Sequence, residues 1–201
     1  MKGTTTGRLH PIRRVEGLAD EMSDAALVAA AATNDVAAMA ALFDRFHPSV
    51  HRFLARLVPS ADVDDLVHAT FLEAFAAADR YRGSSIVRTW LFGIALNVSR
   101  HHHRGEHRRH AFLTSLQAHP PDDGGDGGRP DRTVESRELV ARVSAALDEL
   151  SHERRAVFLL CEVEELSGAE AARALNAPPG TVGRWLFEAR AAVRAALEEE
   201  R

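Results

Sequence analysis

The chain is poor in cysteine and in long apolar runs, and each scarcity excludes a class of protein. Its single cysteine, Cys161, excludes an internal disulfide framework and fits a reducing compartment. No run approaches the roughly 18 apolar residues that a membrane span needs, and the segment from Met1 to Asp24 has no apolar core of signal-peptide length. We therefore expect a cytoplasmic protein with no membrane partner.

Basic charge and strand patterns are also scarce. The 201 residues carry 25 basic and 29 acidic side chains, for a net charge of −4, and Lys2 is the only lysine. A nucleic-acid surface must therefore come from local clusters of arginine. Because no segment alternates apolar and polar residues for long, the chain predicts an all-α fold of two small helical domains.

The first half of the chain has apolar residues at helical spacing. We expect two helices over residues 23–58, separated at Asn34-Asp35, a third over residues 62–78, and a fourth from Val87 to Arg109. The fourth helix passes from an apolar stripe that includes Trp90 into a stretch rich in arginine and histidine. Such a composition favours a helix with one buried face and one basic face.

The second half begins after a change in composition. Residues 117–133 are rich in Pro, Gly and Asp, which predicts a flexible linker. Beyond it, Ser167 and Glu170 have capping-box spacing, "NAPPG" predicts a turn, and a longer helix follows. This is the outline of a helix-turn-helix. The stripes expected to face inward here are Leu139, Val143, Leu147 and Leu150, and then Val182, Leu186, Ala189 and Val193.

Two segments resemble one family, in the same order. "DVDDLVHATFLEAF" with "DRYRGSSIVRTWLFGIALNVSR" is similar to region two of the extracytoplasmic-function sigma factors of bacterial RNA polymerase, and the segment from Leu150 to Leu197 is similar to their region four. The resemblance implies a non-enzymatic transcription initiation factor that needs no cofactor. Its implied partners are core RNA polymerase and promoter DNA, with an anti-sigma factor as a further candidate.

The resemblance also implies domain boundaries and a docking surface. The expected divisions are an N-terminal extension over residues 1–22, a region-two domain over 23–112, a linker over 113–134 and a region-four domain over 135–199. The family docks on the polymerase clamp where this chain has Asp62, Asp64, Asp65 and Leu66. Simple capping of the helix start by these acids is the alternative. The chain departs from the family pattern at His68-Ala69, where an acidic residue is common.

By the same resemblance, the loop after the third helix and the polar face of the fourth would contact the minus-ten promoter element. A pocket for an extruded base needs aromatic and arginine surfaces, and arginine contacts to phosphate would make affinity depend on salt. Phe92 lies off the apolar stripe, so we expect it to be exposed. The candidate residues are Arg80, Tyr81, Arg82, Arg88, Phe92, Asn97, Arg100, His101, Arg104 and Arg108.

The last helix would read the minus-thirty-five element in the major groove, as the family does. Its candidates are Thr181, Gly183, Arg184, Trp185, Phe187, Glu188 and Arg190. The family usually has basic residues where this chain has Gly183, and glycine weakens a helix by about 1 kcal/mol relative to alanine. We therefore expect an unusual or weak promoter preference.

Other functions remain open on the residues alone. His103, His107 and His110 are spaced as zinc ligands on one helix face could be, and so are His47 and His51, but no cysteine or carboxylate set matches them and we expect no metal. A helix-turn-helix regulator independent of polymerase would explain only the second domain. A degenerate sigma-like interaction protein would explain the departures at His68-Ala69 and Gly183.

Overall fold

A computed structural model describes residues 22–116 and 134–198, and the side chains of residues 22–105 and 138–198. Within these ranges the chain is helical and has no strand, which confirms the predicted fold class; besides α-helices it has 3-10 segments at Ser60–Asp62 and Ala78–Arg80 and a π-helical segment at Leu159–Val163. Of the linker predicted over residues 113–134, residues 117–133 lie outside these ranges, whereas residues 113–116 continue the helix before it and residue 134 begins the helix after it. The helices are α1 (Asp24–Ala31), α2 (Val36–Leu57), α3 (Val63–Ala77), α4 (Val87–Leu116), α5 (Val134–Asp148), α6 (His152–Phe158), α7 (Gly168–Leu175) and α8 (Pro179–Glu198).

The ends of several helices are set by side chains close in sequence. Asn34 has a left-handed backbone with φ 63°, and the Asp35 carboxylate accepts hydrogen bonds from the N–H groups of Ala37 and Ala38 at 2.9 and 3.2 Å. This confirms the predicted separation of α1 from α2. The capping box at α7 is also present, with the Ser167 hydroxyl accepting from the Glu170 N–H at 3.3 Å and the Glu170 carboxylate from the Ser167 N–H at 2.9 Å.

The first four helices, which we call the first unit, pack around α2. Helices α1, α3 and α4 all contact it, and α3 also packs along α4. The most deeply buried large side chains of this unit are Leu27, Val50, Phe53, Leu54, Leu91, Phe92 and Leu96. The core of the unit therefore lies between α2 and α4.

Helices α5 to α8, the second unit, pack around α8. Val157, Leu160 and Ala189 are fully buried between them, whereas Leu139 is exposed, so the predicted stripe of α5 does not extend to that residue. The two units are in contact, since α4 lies against α7 and α2 touches α6. The buried apolar residues form one continuous cluster from Leu27 in α1 to Val193 in α8.

Candidate polymerase and nucleic-acid interfaces

The start of α3 presents carboxylates to solvent. Asp64 and Asp65 are exposed, with 82% of the Asp64 side chain accessible, and Asp62 is half-buried. Leu66 belongs to the same predicted cluster, but it is buried with Val63, Val67 and Thr70. Because these four residues share the face of α3 that packs on α2 and α4, Leu66 contributes to the core and not to the surface.

Asp64 and Asp65 lie in the first turn of α3, where the helix dipole favours negative charge. Asp62 is the N-cap residue of α3, but its side chain makes no capping hydrogen bond. Two of the acids instead face histidines that the sequence did not identify as their partners. His51 Nε2 lies 3.5 Å from the Asp64 carboxylate, and His102 Nε2 lies 3.5 Å from that of Asp62.

The same helix has an exposed apolar side chain that sequence reasoning missed. Leu72 is 70% exposed and lies two turns beyond Asp65 on the same face. Between them, His68 Nδ1 donates a hydrogen bond to the Asp64 carbonyl at 2.8 Å. The sequence could have indicated that Leu72 is exposed, since this residue falls outside the apolar stripe of α3. We call the surface formed by Asp64, Asp65, His68 and Leu72 the α3 surface.

The loop between α3 and α4 holds one fixed aromatic residue and two exposed arginines. The Tyr81 hydroxyl donates to the Ser85 carbonyl at 2.5 Å, and its ring lies 5.1 Å from that of Trp90. Burial, reinforced by the negative charge of Asp24, raises the pKa of Tyr81 above its usual value. Arg80 and Arg82 are exposed, and Arg82 donates to the Asp79 carbonyl at 2.6 Å. The loop is thus ordered around Tyr81 and presents its arginines outward.

Phe92 is fully buried, so the prediction that it would be exposed was wrong. Its ring centroid lies 5.0 Å from that of Phe53, and the Arg88 guanidinium lies 5.8 Å from its centre. Helix α4 has a second buried stripe, formed by Thr89, Phe92, Leu96 and Ser99. Since α4 packs on α2, α3 and α7, more than one of its faces is covered. The sequence stripe indicated only one of these faces.

The predicted basic face of α4 is divided between solvent and the second unit. Asn97, His101 and Arg104 are exposed. Arg88 donates to the Glu164 carbonyl at 2.6 Å, and Arg100 donates through both Nη atoms to the Leu175 carbonyl at 3.4 Å. The side chain of Arg108 lies outside the described part of the chain.

The helix-turn-helix is formed by α7, the turn at Asn176 and α8. Asn176 has φ 49°, which ends α7, and α8 begins at Pro179. The exposed face of α8 contains Gly183, Arg184, Phe187 and Arg190 at near-helical spacing, and Phe187 is 73% exposed. Thr181, Trp185 and Glu188 are half-buried at its margin.

Two charged residues of α8, Glu188 and Arg190, form ion pairs with other residues of the second unit. The Glu188 carboxylate accepts from Arg154 and lies 3.9 Å from the Arg184 Nε. Arg190 donates to the Glu162 carboxylate at 2.6 and 2.9 Å. Arg184 and Phe187 are therefore the side chains of this face that are most available to DNA.

The histidines give no metal cluster in the part of the chain whose side chains are described. Within it, no group of three His, Cys, Asp or Glu residues is arranged to hold a metal ion. The His103 ring stacks on that of His152 with centroids 5.7 Å apart, and His47 packs on Phe43. The side chains of His107 and His110 lie outside this part. None of the described helices is both long and apolar enough to cross a membrane.

Comparison with known proteins identifies both units. The family described as Sigma-70 region 2 matches residues 42–109, and that described as Sigma-70, region 4 matches residues 141–193. The ECF RNA polymerase sigma-E factors of Salmonella typhimurium and Escherichia coli K12 are each 30% identical over 181 residues, which is 88% of this chain and 95% of theirs. That of Haemophilus influenzae is 29% identical over 178 residues, 86% of this chain and 94% of its own.

Solved structures of two other proteins are also similar to this chain. CnrH, in complex with the cytosolic domain of CnrY, is similar with a TM-score of 0.64 at 27% identity, over 89% of this chain and 99% of that one. The sigma factor RpoE of Bartonella quintana, in complex with the anti-sigma factor NepR, has the same fold, with a TM-score of 0.63 at 21% identity over 79% of this chain and 96% of its own. The chain belongs to the extracytoplasmic-function group of the sigma-70 family, the RNA polymerase sigma factors of transcription initiation.

Proposed function

We propose that this sigma factor docks on core RNA polymerase through the α3 surface. The observation that carries the proposal is the exposure of the Asp64 and Asp65 carboxylates in the first turn of α3. Leu72 adds an apolar contact beside the acids, and an interface commonly combines an apolar centre with charged groups at its rim. A basic partner surface would complement this arrangement and accelerate association.

We propose further that the loop after α3 and the polar face of α4 contact the minus-ten element. The side chains available for this are Arg80, Arg82, Asn97, His101 and Arg104. Tyr81 would support the loop, because its hydroxyl and ring are already engaged by Ser85 and Trp90. Phe92 is omitted from this surface because it is buried. Arg88 and Arg100 would join only when their contacts with the second unit are released.

The minus-thirty-five contact is proposed for Arg184 and Phe187. Both side chains are exposed on α8, the second helix of the helix-turn-helix, which is the one that enters the major groove in this motif. Arginine can donate two hydrogen bonds to guanine, and an aromatic ring can contact a thymine methyl group. Gly183 beside them offers no side chain.

We propose that residues 23–112 and 135–199 act as separate domains, that the chain works in the cytoplasm and that it has no enzymatic activity of its own. An anti-sigma factor is a proposed partner. The similar RpoE was solved in complex with the anti-sigma factor NepR, and CnrH was solved in complex with the cytosolic domain of CnrY.

The docking proposal is tested by charge reversal. Asp64→Arg and Asp65→Arg should each weaken binding to core polymerase about tenfold, because a like charge then faces the basic partner. Binding is measured by fluorescence anisotropy of the labelled full-length chain. Glu198→Arg, an equal change of charge at an exposed position near the end of α8, should leave affinity unchanged. Equal affinity of all three variants and the native chain would remove the α3 surface from the docking site.

The promoter proposal is tested by Arg184→Ala. Run-off transcription from a pool of promoter fragments should fall at least about fivefold, since a lost bidentate base contact is worth about 1–3 kcal/mol. Binding of the same variant to core polymerase should not change, because Arg184 is not part of the α3 surface. A variant that keeps full transcription, or that loses polymerase binding, would contradict this assignment.

A further inference from the structure

The carboxylates at the start of α3 lie among histidines from three helices. His51 of α2 has its Nε2 3.5 Å from the Asp64 carboxylate, and His102 of α4 has its Nε2 3.5 Å from that of Asp62. His68 lies one turn after Asp64 on α3 itself. The packing of α2, α3 and α4 therefore collects titratable bases around the acids that we assign to polymerase docking.

The imidazole of His51 is placed to form an ion pair with Asp64 when it is protonated. Its side chain is 43% exposed, so the ring exchanges protons with solvent. On the same helix, the ring of His47 lies one turn before it, with centroids 5.7 Å apart. The next residue, Arg52, is directed to Glu164 of the second unit at 3.5 Å. Protonation of His51 therefore neutralises Asp64, and protonation of His47 adds positive charge beside the pair.

The ring of His68 takes up its additional proton on Nε2. Its Nδ1 lies 2.8 Å from the Asp64 carbonyl oxygen, which can only accept a hydrogen bond, so Nδ1 carries the hydrogen of the neutral ring. The ring also stacks on Phe43 of α2 with centroids 6.4 Å apart, and Asp65 lies one turn before it on α3. Protonation at Nε2 leaves these contacts in place and adds one positive charge to the α3 surface.

The charge of the α3 surface therefore depends on the protonation of its histidines. Histidine is the type of side chain whose charge ordinarily changes between about pH 8 and pH 5. At the upper end of this range, the surface presents the negative charges of Asp64 and Asp65. At the lower end, protonated His51 and His68 oppose these charges. A surface that attracts a basic partner through its negative charge loses that attraction when the charge is cancelled.

We propose that docking of this chain on core polymerase depends on pH, and that His51 and His68 are the groups that weaken docking on acidification. The inference rests on the proposed function, since it assumes that the α3 surface binds the polymerase. Protonation and docking are reciprocally coupled, so protons weaken docking and the bound polymerase favours the neutral histidines. His102 acts on Asp62 in the same direction.

A double variant tests the role of the two histidines. Binding of the labelled full-length chain to core polymerase is measured by anisotropy at pH 8 and pH 6, at constant ionic strength. Groups of the polymerase titrate in the same way with every variant, so differences between variants isolate the histidines. We expect the dissociation constant of the native chain to rise about fivefold more than that of His51→Gln/His68→Gln. His103→Gln, at an exposed position where the ring stacks on His152, should follow the native chain. Equal rises for the native chain and the double variant would overturn the proposal.

Added salt separates an electrostatic role of these histidines from a structural one. Because salt screens exposed charges, the difference between the native chain and the double variant should shrink to less than about twofold at about 0.5 M salt. A difference that persists at this salt concentration would overturn the proposal. The charge reversals Asp64→Arg and Asp65→Arg, measured at pH 8, test the docking site separately. Native affinity of both reversals would overturn the proposed function, whereas weaker binding of the reversals with equal pH dependence of the histidine variants would overturn this inference alone.

Discussion

The titration of His152 gives the most quantitative test of how the two units pack. His152 is the first residue of α6, and its Nε2 lies 3.1 Å from the Ser99 hydroxyl of α4. Its Nδ1 is buried without a hydrogen-bond partner. Burial lowers the pKa of His152 from 6.5 to about 4. The neighbouring Glu153 opposes this shift, whereas the positive charges of His103, Arg100 and Arg155 add to it.

Acidification should destabilise the folded chain through the protonation of His152. Because the pKa is lower in the folded chain, the unfolded chain binds more protons between pH 6.5 and about 4. The free energy of unfolding therefore falls as the pH falls through this window. One pKa unit corresponds to about 1.4 kcal/mol, so the full shift corresponds to at most about 3 kcal/mol. Solvent that reaches the half-buried ring reduces this figure, and we expect a loss of about 1–3 kcal/mol.

Urea unfolding of the native chain and of His152→Gln at pH 6.5 and pH 4 measures this loss. Carboxylates titrate in the same window in both proteins, so the difference between their pH dependences isolates His152. His101→Gln, which changes an exposed histidine of α4, should behave as the native chain does. The account of the interface is refuted if His152→Gln loses as much stability on acidification as the native chain.

Two further predictions concern single side chains. Phe92→Ala should lower the free energy of unfolding by about 3–5 kcal/mol, as expected for a fully buried phenylalanine. Phe187→Ala, at an exposed position, should change it by less than about 0.5 kcal/mol. Similar losses for the two variants in urea unfolding would contradict this contrast. Gly183→Ala should raise the free energy of unfolding by about 1 kcal/mol, because a Cβ there meets nothing within 4 Å and alanine favours the helix. A lower thermal midpoint for Gly183→Ala would contradict that expectation.

Features that depend on a few neighbouring residues could be predicted from the sequence. The separation of α1 from α2 requires only a left-handed Asn34 and the capping carboxylate of Asp35. The start of α7 requires only Ser167 and Glu170, three residues apart. The family resemblance rests on the same kind of local pattern, and the comparisons confirmed it at both units.

The state of the α4 surface could not be predicted, because it depends on contacts between residues far apart in the chain. Phe92 lies off the apolar stripe of α4, but a second buried face covers it. Arg88 and Arg100 look like free basic residues until α7 and the preceding turn supply their acceptors, about 75 positions later. The pairing of Asp64 with His51 likewise joins two helices, and no local spacing indicates it.

The central claim is that this chain is a working sigma factor, and co-purification with core bacterial RNA polymerase followed by run-off transcription tests it most directly. The promoter template should be a pool of fragments, because the preferred sequence is not assumed. The account predicts that the full-length chain binds core polymerase and yields discrete transcripts that core polymerase alone does not produce. A chain that fails to bind core polymerase, or that binds it and yields no transcripts, would contradict the claim.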